Sequence, residues 1–311
     1  MMEFTGIYCA NITPFEPDGN AIRTDELERL FIELKRAGVA GMVCNGHAGE
    51  GELLSRKEKM AVVSLARRAL GADYPVVAGV HALPTWELIE QVVDAKEAGA
   101  NAVMLCAPPL FAWHADRHPD FGIAQIRAVA EAVPDMPIVL FQYSPNNPFY
   151  YRPEVLARIC REIPQVKAIK MATNVDVAQY EEEVRAVRTV PRKIYLLPAN
   201  GRTFYYAFQL MPDGALSGSA NFSPAHDVEL FEAATRGDLK RAKELHDQIF
   251  PIFRLVYRDP YVYLHIRYKY CAWLLGKISS PAVRSPLVPL PADEMSALKE
   301  GLRAAGLEPV R

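Results

Sequence analysis

The chain has 311 residues, half of them hydrophobic and 23% charged, which excludes a disordered or low-complexity polypeptide and is enough for a large core. Lys and Arg total 35 against 37 Asp and Glu, a formal charge of -2, so no basic excess exists to neutralise a phosphate backbone and no nucleic-acid partner is expected. The 5 cysteines (Cys9, Cys44, Cys106, Cys160, Cys271) are odd in number, widely spaced and without a C-x-x-C. That pattern argues against a disulfide framework or zinc ribbon and fits a reducing, cytoplasmic setting.

Met1 to Asn20 lacks a basic patch followed by an apolar stretch, so no signal peptide is expected. Short apolar runs follow at regular intervals: Gly6 to Ile12, Gly41 to Cys44, Pro75 to Val80, Ala102 to Cys106, Ile138 to Tyr143, Val166 to Lys170, Ile194 to Leu197 and Gly214 to Ser217. Their near-continuous hydrophobicity predicts strands of a parallel sheet covered on both faces. Between them lie amphipathic helices. Leu27, Leu30, Phe31 and Leu34 share one face of the first, with Thr24 its expected N-cap, and Ser55 with Glu58 forms a capping-box pattern before Val62, Val63 and Leu65. Ala37-Gly38 and Ala98-Gly99 each precede a strand, where a left-handed glycine turns a helix back into the sheet. The longest apolar run, Ala102 to Trp113, contains Pro108 and Pro109 and is too short to span a bilayer, so no membrane partner is expected.

Eight strands, each followed by a helix, predict a (β/α)8 TIM barrel over residues 1–225. Residues 226–311, with a Tyr-rich stretch from Tyr261 to Trp273, read as a C-terminal helical extension. An open doubly wound sheet is the alternative, but no G-x-G-x-x-G follows the first strand.

Barrel active sites lie at the C-terminal ends of the strands. Those ends carry Asn45 to Glu50, Tyr143, Lys170, Asn200 and Ser217 to Asn221. Lys170 alternates with Val166 and Ala168, so if Ile169 packs outward the lysine points into the barrel mouth. Burial there favours the neutral amine that imine formation requires. The structural alternative is a lysine reaching solvent or paired with a carboxylate. Tyr143 shares the inner face with Val139 and Phe141 and is suited to proton transfer beside such a lysine, or is a core tyrosine. The loop Asn45-Gly46-His47-Ala48-Gly49-Glu50-Gly51 allows backbone N–H groups to converge on an anion, or is an ordinary glycine-rich turn; it lacks the G-K-[ST] of a P-loop. The histidines form no H-x-H or H-E-x-x-H, so no metal is expected; His114 and His118, at i, i+4 beside Pro119, read as surface residues. No G-x-S-x-G elbow supports a serine hydrolase. Tyr257, Tyr261, Tyr263, Tyr268, Tyr270 and Trp273 read as helix core or subunit contact rather than as a ligand box.

In combination these pieces resemble the dihydrodipicolinate synthase / N-acetylneuraminate lyase family of Schiff-base aldolases and lyases. The resemblance rests on Gly46-x-x-Gly49-Glu50, Tyr143, Val166 to Lys170, Gly214 to Asn221, and Arg284 to Leu290, in order and over nearly the whole chain. It implies an imine between Lys170 and a 2-keto acid such as pyruvate, with no metal or other cofactor. It implies proton transfer by Tyr143 and substrate binding by the loop of Gly46, His47, Ala48, Gly49 and Glu50; Asn146, Asn200, Ser217 and Gly218, at or just past strand ends, complete the candidate substrate-binding set. It also implies a homo-oligomer, a tetramer or dimer.

The chain departs from the family pattern at three places. His47 and Ala48 stand where members carry Ser or Thr; Ala48 offers no hydroxyl, and His47 is either a replacement donor, titrating near neutral pH, or a packing residue. Ala107 to Phe111 lacks the tyrosine pair of which one member reaches a neighbouring subunit. Tyr143 is followed by Ser144-Pro145-Asn146-Asn147 with no Arg before Arg152, unless Arg202 substitutes. Dihydrodipicolinate synthesis is therefore not expected. The leading expectation is a lyase that cleaves, condenses or dehydrates a 2-keto-3-deoxy acid or an aromatic pyruvate, with Asn146, Asn147 and Asn200 facing a less acidic co-substrate. The alternative is a binding or regulatory protein with little catalysis.

Overall fold

A computed structural model describes residues 2–112 and 117–311. His114 lies outside the described residues. Eight parallel strands build the sheet: β1 (Gly6–Ala10), β2 (Gly41–Cys44), β3 (Val76–Val80), β4 (Ala102–Leu105), β5 (Ile138–Gln142), β6 (Val166–Met171), β7 (Tyr195–Pro198) and β8 (Gly214–Ser217). Neighbours run in chain order and β8 pairs with β1, so the sheet curls into a (β/α)8 TIM barrel. At the β7/β8 seam Asp213 closes the gap: Leu196 N–H donates to its carboxylate at 2.9 Å, and its own N–H donates to Leu196 C=O at 3.2 Å.

Helices α1 (Thr24–Arg36), α2 (Arg56–Leu70), α3 (Thr85–Glu97), α4 (Asp120–Ala132), α5 (Pro153–Glu162), α6 (Val177–Arg188), α7 (Phe204–Phe208) and α8 (Pro224–Thr235) wrap the barrel. The predicted apolar stripes face inward: Leu27, Leu30, Phe31 and Leu34 are fully buried, as are Val62 and Val63. The Ser55–Glu58 capping box forms in both directions. Thr24 does not cap α1. It lies within the first turn, the N-cap is Arg23 and no side chain caps it; Asp25 and Glu26 instead face the positive end of the helix dipole. Gly38 (φ 88°) and Gly99 (φ 98°) take the left-handed conformation that returns α1 and α3 to the sheet.

Helix α8 packs on β1 as the eighth barrel helix and also against the helix that follows it. Helices α9 (Leu239–Val256), α10 (Leu264–Leu274) and α11 (Ala292–Ala304) follow. Helix α10 lies across the barrel mouth, against the turns His47–Gly49 and Ser219–Asn221. A buried ion pair between Lys269 of α10 and Glu50 fixes that contact, and the side chains are only 1% and 3% exposed. Glu50 also accepts from Arg284 N–H at 2.9 Å, while the Arg284 guanidinium pairs with Glu58 at 2.8 Å. The Arg284 segment thus ties the extension to the loop after β2.

Removing one partner of a buried pair leaves an uncompensated charge, so Lys269→Met should lower unfolding free energy in urea by about 3–5 kcal/mol. Adding Glu50→Gln should restore much of that loss; equal destabilisation in the single and double variants would show that the pair is not coupled.

Candidate active site

Register brings the site together. In the β5–β6 ladder Phe141 stands opposite Lys170, so their side chains emerge on the same face, and the Lys170 ammonium nitrogen lies 4.2 Å from the centre of the Phe141 ring. Two residues on, Tyr143 returns to that face and stacks on Phe141 with ring centroids 4.2 Å apart. Val166 and Ala168 occupy the inner positions below Lys170 and are fully buried. Lys170 is 8% exposed, and no carboxylate lies within ion-pair distance among the described residues. Burial lowers its pKa from 10.5 to about 8.

The loop after β2 supplies the next group. Asn45 adopts a left-handed conformation (φ 58°), and His47 opens a short turn that places its ring beside Tyr143, Nε2 to hydroxyl 2.9 Å. His47 Nδ1 is 2.9 Å from the Glu52 carboxylate, which also lies 3.4 Å from His81 Nδ1. His81, just past β3, uses Nε2 to bond the Asn45 carbonyl at 2.9 Å. Hydrogen bonds from both histidines hold Glu52 well below the usual carboxylate range. Burial lowers the His47 pKa, partly offset by Glu52. Burial also opposes charge on His81, yet Cys106 and Glu52 hold its pKa up, at about 10. Burial pushes the Tyr143 phenol above its ordinary value.

Donor atoms of His47, His81 and Cys106 lie within 4.8 Å of one another, the geometry a soft metal ion would seek. Both nitrogens of each ring are already engaged, however: by Asn45 and Glu52 at His81, and by Tyr143 and Glu52 at His47. Protons account for this cluster without a cation.

Lys170, Tyr143, His47, Ala48, Asn146, Asn200 and Gly218 line one cavity of about 660 Å³. Asn146 makes no side-chain hydrogen bond among the described residues, whereas Asn200 bonds Tyr261 (3.3 Å) and the Arg202 N–H (3.1 Å). Arg202 is exposed and does not line the cavity. Gly46, Gly49, Glu50 and Ser217 stand behind the wall. Gly46 C=O accepts from Gly49 and Gly51 N–H, and a Cβ on Gly49 would stand 2.9 Å from the Asn11 carbonyl. Glu50 is the clearest departure from expectation. Its carboxylate faces α10 and Arg284, away from any substrate, because the left-handed backbone at Glu50 (φ 56°) ends the His47–Gly49 turn. Ser217 bonds Ser219 at 2.7 Å and Tyr257 at 3.0 Å, and so positions a lining residue.

The Tyr-rich stretch is corrected in part: Tyr257, Tyr261 and Tyr268 line the cavity rather than only the helix core. His265 joins them and stacks on His47 at 5.8 Å, its pKa lowered to about 3 by burial, then by His47 and Lys170. A Cβ on Gly218 would collide with the Tyr268 ring at 2.2 Å, so this glycine admits α10 to the site. Glu52 and His81 escaped the sequence reading. Glu52 lies five residues after His47 in the same loop and His81 sits at a strand end, so both signals were present, but only folding joins them.

Residues 3–305 match the Dihydrodipicolinate synthetase family. The chain belongs to that family. It is 31% identical to the 4-hydroxy-tetrahydrodipicolinate synthase of Methanothrix thermoacetophila over 96% of each chain. It is 29% identical to that of Methanopyrus kandleri over 99% of this chain and 98% of the other. Dihydrodipicolinate synthase from Aquifex aeolicus shares the fold (TM-score 0.85, 23% identity, covering 99% of this chain and 100% of the other). The family is one of Schiff-base, pyruvate-dependent lyases and aldolases. No helix of the described residues is long and apolar enough to cross a membrane.

A pKa of about 8 against 10.5 places the buried ammonium about 3 kcal/mol above its solvated state. The folded state binds this proton less tightly than the unfolded chain, so the penalty is complete below pH 8 and fades as pH rises towards 10.5. Lys170→Met should therefore be about 2–3 kcal/mol more stable than the parent at pH 7, with the gain shrinking across that window. Urea unfolding at a series of pH values reads this directly; a pH-independent difference would show that Lys170 is solvated.

Proposed function

We propose that the protein is a class I lyase that binds pyruvate, or a 2-keto acid that contains the pyruvate unit, as an imine on Lys170. The observation that carries this reading is a buried lysine, without a carboxylate partner among the described residues, that lines a large cavity together with Tyr143 and shares the Phe141 ring with it. With a pKa of about 8, a useful fraction of Lys170 is neutral near physiological pH and able to attack the keto carbon. Tyr143 moves protons between nitrogen and oxygen as the carbinolamine loses water. The imine then serves as the electron sink for breaking or forming the bond between C3 and C4, or for losing a hydroxyl. The turn at His47 and Ala48 holds the substrate carboxylate.

The remaining cavity supports a co-substrate without a strong negative charge. A volume of about 660 Å³ far exceeds what pyruvate fills. Among the described residues, the charged ones that line it apart from Lys170 are Asp176 and Asp259, and no arginine does so. Asn146 and Asn147 offer amides, and Tyr257, Tyr261 and Tyr268 offer rings and hydroxyls. This wall suits a polyhydroxylated or aromatic aldehyde better than a second carboxylate.

Borohydride reduction in the presence of pyruvate should leave one adduct, on the peptide that contains Lys170, and Lys170→Ala should form none. Tyr143→Phe should slow adduct formation by about 100-fold or more. Ligand-induced thermal stabilisation with no adduct, from pyruvate or longer 2-keto acids, would favour a binding protein instead.

A further inference from the structure

We propose that Glu52, His47 and Tyr143 form a carboxylate–imidazole–phenol relay, in which His47 stores the proton that Tyr143 exchanges with the Lys170 adduct and Glu52 is the positioning residue for His47. The proposal rests on the imine reading above and adds to it the route of the proton.

The chain of contacts is continuous: Glu52 to His47 Nδ1 at 2.9 Å, and His47 Nε2 to the Tyr143 hydroxyl at 2.9 Å. Proton positions follow from what each partner can do. An ionised carboxylate only accepts, so His47 Nδ1 carries hydrogen and, in the neutral ring, Nε2 carries a lone pair. The Tyr143 hydroxyl therefore donates to His47. At His81 the Asn45 carbonyl only accepts, so Nε2 donates to it, and a second proton on Nδ1 faces Glu52. His81 is thus a fixed cation that keeps Glu52 ionised and in place. Burial makes the phenol a poor acid by itself, which is why a base within hydrogen-bond reach matters.

The groups that face His47 come from several elements. Glu52 favours its protonated form; His81 after β3 and Lys170 on β6 oppose it, the Cys106 thiol after β4 lies within 4.8 Å, and Phe141 and His265 contribute uncharged rings. Imine formation moves two protons from the amine nitrogen to the departing oxygen. The Lys170 nitrogen forms its bond to the keto carbon, and the carbonyl π pair moves onto oxygen. For each transfer, the nitrogen's proton goes to the Tyr143 oxygen while the phenol's own proton moves to His47 Nε2. The return passage delivers that proton to the substrate oxygen. Nitrogen's lone pair then completes the C=N bond as the C–O bond breaks and water leaves. Lys170 loses both protons, water gains both, and Tyr143, His47 and Glu52 end as they began.

The test measures the rate of borohydride-trapped pyruvate adduct at Lys170 across pH, in the full chain and in Glu52→Gln, Glu52→Asp, His47→Gln and Glu52→Gln/His47→Gln variants. Glu52→Gln and His47→Gln should each slow trapping by about 10- to 100-fold. The double variant should be little worse than either single, because the residues act as a unit. Glu52→Asp should recover part of the rate. The break near pH 8 that belongs to Lys170 should stay, while the lower break that belongs to His47 should move down in Glu52→Gln, since the carboxylate that favours imidazolium is gone. Multiplicative losses in the double variant, or an unmoved lower break in a Glu52→Gln protein with parental melting temperature, overturn the relay while leaving the imine intact. If Glu52→Gln does not fold, Glu52→Asp and His47→Gln carry the same comparison. No adduct in the unaltered protein overturns the imine reading and the relay together.

Discussion

The chemistry proposed for this protein depends on a cation kept away from its counter-ion. Lys170 sits where the barrel's inner face meets the cavity, above Val166 and Ala168 and over the ring of Phe141, with no carboxylate in reach among the described residues. A nearby Asp or Glu would hold the amine charged and unreactive. The protein instead leaves the charge to the ring face and the cavity, and burial there makes the ammonium less stable and the neutral amine more accessible. Strand register makes that possible, since the pairing of Phe141 with Lys170 places an aromatic face where an acid would otherwise be needed.

The same barrel mouth treats its second buried lysine in the opposite way. Lys269 is buried still more deeply than Lys170 but is paired with Glu50, and it serves to lock α10 over the loop after β2. Burial alone does not separate the two lysines; a carboxylate partner does, present at Lys269 and absent at Lys170 among the described residues. The Glu50 pair also explains how a glycine-rich loop holds a defined shape, because its carboxylate and Arg284 tie the extension to the loop from behind. With that backing in place, His47 and Ala48 present to the cavity while Gly46, Gly49 and Glu50 do not.

Around Tyr143 the polar groups come from four elements that are far apart in sequence: the loop after β2, the end of β3, β5 and α10. His47 brings an imidazole to the phenol, and Glu52 holds the other ring nitrogen. Helix α10 shields the arrangement with His265 and Tyr268, and Gly218 leaves the space that Tyr268 fills. The extension is therefore part of the site wall, and treating it as a separate appendage misses three of the tyrosines that face the ligand space.

Much of this was legible in the residues alone. Apolar runs of strand length alternating with amphipathic helices pointed to the eightfold barrel, since eight buried parallel strands need helices on their outer face and no G-x-G-x-x-G favoured an open doubly wound sheet. Period-two alternation determined that Lys170, Tyr143 and Phe141 point inward, because a strand's side chains must alternate. Local chemistry determined the Ser55–Glu58 cap and the glycine turns at Gly38 and Gly99. Tertiary structure alone decided where Glu50 points, since a left-handed residue at the end of a turn reverses the direction that sequence position suggests. It alone decided that Tyr257 at the end of α9 and Tyr261 before α10 reach the cavity, and that Tyr268 and His265 do so, because the path of α10 is set by a pair, Lys269 with Glu50, whose members lie far apart along the chain. It also decided that Glu52 and His81 stand behind His47. Hydrogen-bond partners separated by whole βα units leave no periodic trace in sequence, and only closure of the barrel brings them within reach.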